Sequence, residues 1–180
     1  MQFPCLRSSL IVVTLIASAS AARSVDPPPA TPEQKVLDKW LGNWRTSYKL
    51  PKAEWTPEEK TETAELTDAR VVGGQFVQEK GEHSDKTSSI LMLTHDAQKK
   101  CYRSWWFSST GQTAEGTGKW DADAKTMTWT SVGEPAFTTT TRHRFVDYDT
   151  VEWDAVIKDD KGKVLFRMEG KSVRVKELKK

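Results

Sequence analysis

His143 is the residue of this 180-residue chain whose type and position indicate chemistry most directly. Alternation places it on one strand face with Thr141 and Phe145, while Arg142 and Arg144 point to the other face. A neutral imidazole on an interior face can ligate a metal or heme, or hydrogen-bond to a carboxylate ligand. The alternative is a histidine that only hydrogen-bonds to a neighbouring threonine such as Thr141.

Arg174 is the second residue that suggests chemistry. It shares strand parity with Phe166 and Met168, whereas Arg167 faces the opposite side. A guanidinium can hold a carboxylate through two parallel hydrogen bonds, so an inward Arg174 would orient an acidic ligand head. The alternative is exposure at the surface, where most arginines lie.

The remaining polar residues indicate neither a metal site nor catalysis. His83 and His95 stand beside turns that are expected at alternating ends of the fold, so they should not converge with His143 on one zinc ion. The sequence contains no nucleophile elbow, phosphate-binding glycine loop or zinc-protease motif. Ligand or partner binding is therefore a better hypothesis than an enzyme, with no required cofactor.

These residues must be positioned by a sheet. A short helical segment leads into Gly42-Asn43-Trp44, and turn signals then recur at short intervals between segments rich in Val, Thr, Trp and Phe. This spacing predicts a mainly β fold, an antiparallel up-and-down barrel of about ten strands preceded by a short N-terminal helix. The glycine of Gly-x-Trp permits close backbone approach, and the indole is expected to plug one barrel end.

The N-terminus has the features of a secretory signal. Arg7 precedes the apolar run Leu10–Ile16, and small residues follow up to Ala21. We therefore predict a signal peptide over 1–21, a proline-rich linker over 22–31, one barrel domain over 32–176 and a basic tail over 177–180. The protein is expected to be secreted or periplasmic, without stable membrane insertion after cleavage.

Charge excludes a common class of partner. Lysine and arginine total 27 against 25 acidic residues, and the two signs are interspersed along the chain. A nucleic-acid binder has a one-sided basic surface, which this pattern does not provide. We expect no nucleic-acid partner.

Eight tryptophans are the other prominent feature of the composition. Inward rings either fill a barrel or line a cavity, and the sequence leaves both possibilities open. The parity of the late strands selects the residues that would contact an interior ligand. They are Trp44, Trp129, Thr141, His143, Phe145, Trp153, Phe166, Met168 and Arg174.

Four motifs in order resemble a secreted bacterial family of unknown function with a lipocalin-like or fatty-acid-binding-protein-like barrel. They lie at 37–44, 72–79, 115–121 and 141–145, and the resemblance covers residues 35–175. It implies a calycin-like barrel and no established reaction. The barrel class is also similar to nitrobindin-like heme proteins, in which a late-strand histidine binds heme. Here only His143 matches that role, and Arg45–Tyr48 replaces the glycine-rich stretch of such proteins.

Three functions remain open from the sequence. The first is binding of a small apolar or amphipathic molecule inside the barrel. The second is a solid barrel that serves as an envelope protein-interaction module, since Trp105 and Trp106 place one ring on each face of a strand. The third is heme binding through His143.

Overall fold

The computed structural model describes residues 29–53, 56–133 and 137–178, whose ten strands close into an antiparallel barrel. Each strand pairs with the next along the chain, and the first and last strands pair to complete the ring. The strands are β1 (Gly42–Leu50), β2 (Lys60–Val71), β3 (Phe76–His83), β4 (Ser88–Asp96), β5 (Cys101–Ser108), β6 (Thr113–Asp121), β7 (Thr126–Gly133), β8 (Phe137–Phe145), β9 (Thr150–Lys158) and β10 (Val164–Val175). The predicted fold class is confirmed.

A short helical segment closes one end of this barrel. Helix α1 (Pro32–Val36) begins with Thr31, whose hydroxyl accepts a hydrogen bond from the backbone N–H of Gln34 at 3.2 Å. A single 3₁₀ turn (Leu37–Lys39) follows. Leu37 is fully buried, and the Tyr102 hydroxyl donates to the Glu33 carbonyl at 3.2 Å. The segment is stabilised by its packing against the barrel, because so short a helix is not stable alone.

Alternation along the strands separates an apolar interior from a charged exterior. Trp129 and Phe145 are 7% and 5% exposed, as the pattern predicts. Outside, the Arg142 guanidinium donates to Asp154 at 3.0 Å, and Arg144 pairs with Glu152 on the same two strands. The predicted division of β8 and β9 into two faces is therefore confirmed.

Two glycines let large rings lie flat on the sheet. A Cβ on Gly118 would stand 2.5 Å from the Trp129 ring, and a Cβ on Gly170 would stand 2.5 Å from the Trp153 ring. A side chain at either position would displace the indole from the inner surface of the sheet. Glycine therefore fixes how far each indole projects into the barrel.

The start of β10 departs from the expected alternation. The β9–β10 register shifts between Val164 and Phe166, as a β-bulge does. Val164 is consequently 47% exposed, although its parity with Phe166 and Met168 predicted an inward position.

Some domain expectations lie outside the described residues. The predicted signal peptide over 1–21, most of the linker over 22–31 and the last two residues of the tail are among them. Within the part of the chain that is described, no helix is long and apolar enough to cross a membrane.

Candidate functional site

A cavity of about 450 Å³ occupies the barrel interior beyond the helical segment. Trp40 and Trp44 bound it on the side of that segment, and Trp106 and Trp153 contribute to its walls. Small and polar side chains form another part of the wall, namely Thr46, Ser89, Thr139, Thr141, Ala155 and Ser172. The tryptophans therefore have two roles. Trp129 fills the packed core of the barrel, whereas Trp106 and Trp153 line the cavity.

The structure brings six of the nine predicted site residues together around this cavity. They are Trp44, Thr141, His143, Phe145, Trp153 and Met168. Trp129 and Phe166 are buried but do not contribute to the cavity wall. Trp129 instead packs edge-on against Trp40 and Tyr102, with ring centroids 6.4 Å apart in each case, so it belongs to the packing beneath the helical segment.

Arg174 lies away from the cavity and differs in this respect from the sequence-based expectation. Its guanidinium stacks on Trp44 at 4.1 Å and on Tyr148 at 4.4 Å. It donates to the carbonyls of Leu41, of Lys39 at 3.2 Å and of Tyr148 at 3.2 Å. The donors are thus engaged with backbone at the barrel rim. Arg174 is on the strand face that alternation predicted, but it lies at the barrel rim and does not line the cavity. Its hydrogen bonds there connect β10 to the helical segment.

Gly42 explains why this packing fits. Its φ is +122°, and a Cβ there would stand 2.5 Å from the Arg174 guanidinium. Any other residue would be strained at this φ and would collide with the arginine. The glycine of Gly-x-Trp thus permits the arginine to cover the indole that plugs the barrel.

His143 is held deep among rings. Its ring lies 6.1 Å from Trp40 and 6.4 Å from Trp153, measured between centroids. Its Nδ1 atom is buried and has no hydrogen-bond partner in the described structure. The alternative expectation, a hydrogen bond from the histidine to a neighbouring threonine, is therefore not met at Nδ1. Burial lowers the pKa of His143 to about 4, partly offset by the charge of Asp154. The imidazole is therefore neutral at physiological pH.

Two carboxyl groups, Asp68 on β2 and Glu79 on β3, also line the cavity, and sequence reasoning missed them. They are direct cross-strand partners, a relation that places Cβ atoms about 4.5–5.5 Å apart. Asp68 is 5% exposed, and neither of its carboxyl oxygens has a hydrogen-bond partner within the described residues. We name these two residues the acidic pair.

The acidic pair is strongly perturbed. Burial raises the pKa of Asp68 well above its usual range, the neighbouring Glu79 charge raises it further, and Arg174 opposes the shift. Burial also raises the pKa of Glu79 to about 7. Like charges at this distance resist simultaneous ionisation, so the two groups titrate as a unit. Strand alternation could have identified Asp68, because it lies on the same face of β2 as the apolar residues Ala64 and Leu66.

Several other polar groups around the cavity have hydrogen-bond partners within the protein. The Trp44 indole N–H donates to the Trp40 carbonyl at 2.6 Å, and the Trp153 indole N–H donates to Thr46 Oγ1 at 3.2 Å. The Tyr48 hydroxyl donates to Glu62 at 3.1 Å, and burial raises the pKa of Tyr48. Within the described residues, the two carboxyl oxygens of Asp68 and Nδ1 of His143 are the buried side-chain polar atoms that lack a hydrogen-bond partner.

Metal and heme are the two groups that an interior histidine could hold. The described residues contain no group of three or more side chains suited to holding a metal. His83 instead contacts Ser89 Oγ at 3.0 Å, and the His95 ring lies against Tyr102. Heme carries two carboxylates, and the described wall of this cavity contains no lysine or arginine to pair with them.

A second depression, of about 980 Å³, lies mainly on the outer face of the barrel. Its walls include the outward ion pairs of Arg142 with Asp154 and of Arg144 with Glu152. Charges that are exposed to solvent are screened by water and salt, so they attract a small molecule only weakly. The interior cavity is the better candidate site.

The fold is shared with solved structures of low sequence identity. Rv2717c from M. tuberculosis is 14% identical, with a TM-score of 0.62 over 82% of this chain and 99% of that chain. The S-type phycobiliprotein lyase CPES from Guillardia theta is 15% identical, with a TM-score of 0.54 over 81% and 93%. A DUF3598 protein of unknown function from Nostoc punctiforme is 10% identical, with a TM-score of 0.52 over 77% and 49%.

These likenesses establish a shared barrel and nothing finer. No curated protein matches the chain significantly. The family comparison is more specific, because it covers the helical segment and nearly all ten strands. Residues 29–174 match the family described as Protein of unknown function (DUF1579), and the chain belongs to that family.

Proposed function

We propose that this protein binds a small apolar or amphipathic molecule inside its barrel. The observation that carries the proposal is the 450 Å³ cavity with aromatic walls. Small-molecule sites typically measure about 300–1,000 Å³ and combine apolar walls with a few polar groups. The lyase of the same fold shares too little sequence to assign a ligand, so the proposal stands on the cavity.

Apolar burial would supply most of the binding free energy. Each square ångström of apolar surface removed from water contributes roughly 25 cal/mol. Trp44 and Trp153 present their rings to the cavity with indole N–H groups already satisfied, so they can contact an apolar body without losing hydrogen bonds. Polar groups in the wall then orient the ligand.

Cavity filling tests the proposal. The neutral dye Nile red is titrated into the protein while tryptophan fluorescence is followed, and native mass spectrometry examines protein purified from its own host. We expect saturable quenching or a co-purified small molecule. Thr139→Phe should abolish dye binding because it projects into the cavity, whereas Thr140→Phe on the outer face of β8 should leave binding unchanged. Equal binding by both variants, or no ligand in either assay, would exclude an interior site.

Export through an N-terminal signal is part of the proposal. Its support is the basic, then apolar, then small-residue order that ends at Ala21. Intact mass measured on protein from the periplasm should correspond to a chain that begins near Ala22. A full-length chain retained in the cytoplasm would contradict export.

An envelope interaction module is the alternative, and one surface feature favours it. Ile90 and Phe107 are direct partners on β4 and β5, 39% and 45% exposed on the outer face. Trp105 also faces outward, whereas Trp106 lines the cavity. A partner recovered from the periplasm with the native protein and lost with Phe107→Lys would support this function.

Heme binding through His143 remains a weaker alternative, because the described cavity wall contains no lysine or arginine to pair with the heme carboxylates. Hemin titration decides it directly. A Soret band that appears with the native protein and changes in His143→Ala would support heme binding. No band, or a band unchanged in the variant, would exclude it.

A further inference from the structure

The acidic pair is placed where a ligand must meet it. Asp68 and Glu79 lie side by side in the wall of the cavity, near Trp44. Both carboxyl oxygens of the nearly buried Asp68 lack a hydrogen-bond partner in the described structure. A buried carboxyl without partners costs free energy, so a ligand that supplies donors there recovers it.

Nearby cations do not neutralise the pair from inside the cavity. Arg70 donates to Asp38 at 2.9 Å and to Gln34 Oε1 at 3.2 Å, which engages it with the helical segment. Arg174 stacks on the Trp44 ring and donates to backbone carbonyls, and its charge opposes the rise in the pKa of Asp68 without lining the cavity. Burial keeps His143 neutral, and the other histidine of the wall, His83, contacts Ser89 Oγ at 3.0 Å. The cavity wall therefore carries acidic groups and no lysine or arginine among its described residues.

We propose that the natural ligand carries a protonated amine, held by Asp68 and Glu79, on an aromatic or apolar body that packs against Trp44 and Trp153. This inference rests on the proposed function, since it assigns the chemistry of a ligand in the same cavity. The predicted charge of the ligand head group is therefore positive. An inward Arg174 would have required the opposite, a ligand with a carboxylate head.

An ammonium group fits these observations better than other charged groups. It offers three donors to acceptor oxygens, and its hydrogen bonds to a carboxylate are charge-assisted. The indole faces of the surrounding tryptophans add cation–π attraction once water is displaced. A bare metal ion would need more ligating groups than the described residues provide here, and an anion would find no lysine or arginine in the described wall.

Three probes that share one aromatic body and differ in head group test the inference. Naphthylmethylamine is cationic at neutral pH, naphthalenemethanol is neutral and naphthoic acid is anionic. Isothermal titration calorimetry of the mature protein measures each affinity. We expect the amine to bind about tenfold or more tightly than the alcohol, and the acid to bind most weakly.

Isosteric variants then locate the preference. Asp68→Asn and Glu79→Gln should each remove most of the amine's advantage in affinity over the alcohol. Glu82→Gln, on the same strand as Glu79 but exposed on the outer face, should retain the advantage. Thermal unfolding verifies that each variant is folded, and the comparison of probes on the native protein does not depend on any variant.

The outcomes separate this inference from the function on which it rests. Alcohol and amine binding with equal affinity, or a preference for the acid, overturns the amine assignment and leaves the interior site intact. Binding of none of the three probes overturns both. An amine preference that survives in Asp68→Asn and Glu79→Gln overturns the role of the acidic pair.

Discussion

The two ends of the barrel interior are built differently. At the closed end, Leu37 of the helical segment and the strand residues Val77, Leu93 and Met127 are completely buried. Farther along the barrel, half-buried residues such as Tyr48 and Trp106 border the cavity. Close packing stabilises a fold and empty volume does not, so one end supplies the stability that permits the other to remain open.

Polar groups also divide by whether the protein satisfies them. Arg174 and the indole N–H groups of Trp44 and Trp153 have partners in the protein. Asp68, in the cavity wall, has no hydrogen-bond partner among the described residues. Satisfied polar groups fix a structure, whereas unsatisfied ones are available to a ligand. The variants below are chosen to separate these two roles.

The largest expected effect comes from removing a ring at the closed end. Trp44→Ala should lower the free energy of unfolding by about 3–5 kcal/mol, because it leaves a void beneath Arg174 and Trp40. Trp106→Ala borders volume that is already empty and should cost about 1–2 kcal/mol. Urea unfolding followed by circular dichroism measures both. Equal losses would contradict the division into a packed and an open end.

Arg174→Gln should cost about 2–3 kcal/mol, because the carbonyls of Leu41 and Lys39 lose a charged donor at the barrel rim. Affinity for a neutral cavity probe should not change. The exposed Arg167→Gln on the same strand is the control and should be nearly neutral. If Arg174→Gln instead kept full stability and lost affinity for naphthoic acid, the arginine would be a ligand contact after all.

Gly170→Ala and Gly118→Ala form a matched pair of overpacking variants. Each places a Cβ 2.5 Å from an indole and should cost about 1–3 kcal/mol. Only Gly170→Ala pushes a cavity-lining ring, Trp153, toward the ligand. We therefore expect weaker Nile red binding in Gly170→Ala and unchanged binding in Gly118→Ala. Identical binding in the two variants would show that Trp153 does not contact the dye.

The last expected effect is a change in the pH dependence of stability. The pKa of Glu79 is raised from 4.5 to about 7, so the folded state retains a proton that the unfolded chain releases, and stability falls as pH rises across this window. The pKa of His143 is lowered from 6.5 to about 4, so stability rises with pH between these values. The two trends oppose each other in the native protein.

Glu79→Gln should remove the Glu79 part of the falling trend, so that between pH 4.5 and 7 the slope of stability against pH becomes more positive than in the native protein by up to about 1.4 kcal/mol per pH unit, while the raised pKa of Asp68 still contributes a fall. His143→Gln should leave only the falling trend. Denaturant unfolding at a series of pH values measures both curves. The other charged or titratable groups near the pair, namely Glu62, Asp68, Arg70, His83 and Arg174, are present in both variants. Parallel curves for the two variants would contradict the assignment of the trends.

Strand alternation and turn spacing were sufficient to predict the fold. Period-two patterns in β8 and β9 correctly assigned Phe145 and Trp153 to the interior, because a closed sheet leaves each strand one inner face. The same pattern in β10 failed at Val164, where a bulge shifts the register. A bulge depends on the partner strand and has no reliable signature in one segment.

The cavity residues were predictable only in part. Aromatic and threonine positions could be assigned from parity, whereas Asp68 and Glu79 were missed because acidic residues are normally expected on the outer face. Their pairing depends on the β2–β3 register, which brings residues eleven positions apart into direct opposition.

The sequence by itself determined a mainly β barrel with a short N-terminal helix, since local periodicity and turn chemistry act within a few residues of each other. Only the tertiary structure decided which rings fill and which border empty space, that Arg174 covers Trp44, and that two carboxyl groups meet in the wall. Each of these depends on how far along the barrel axis a residue lies, and that depth is set by strand stagger and by the helical segment that closes one end.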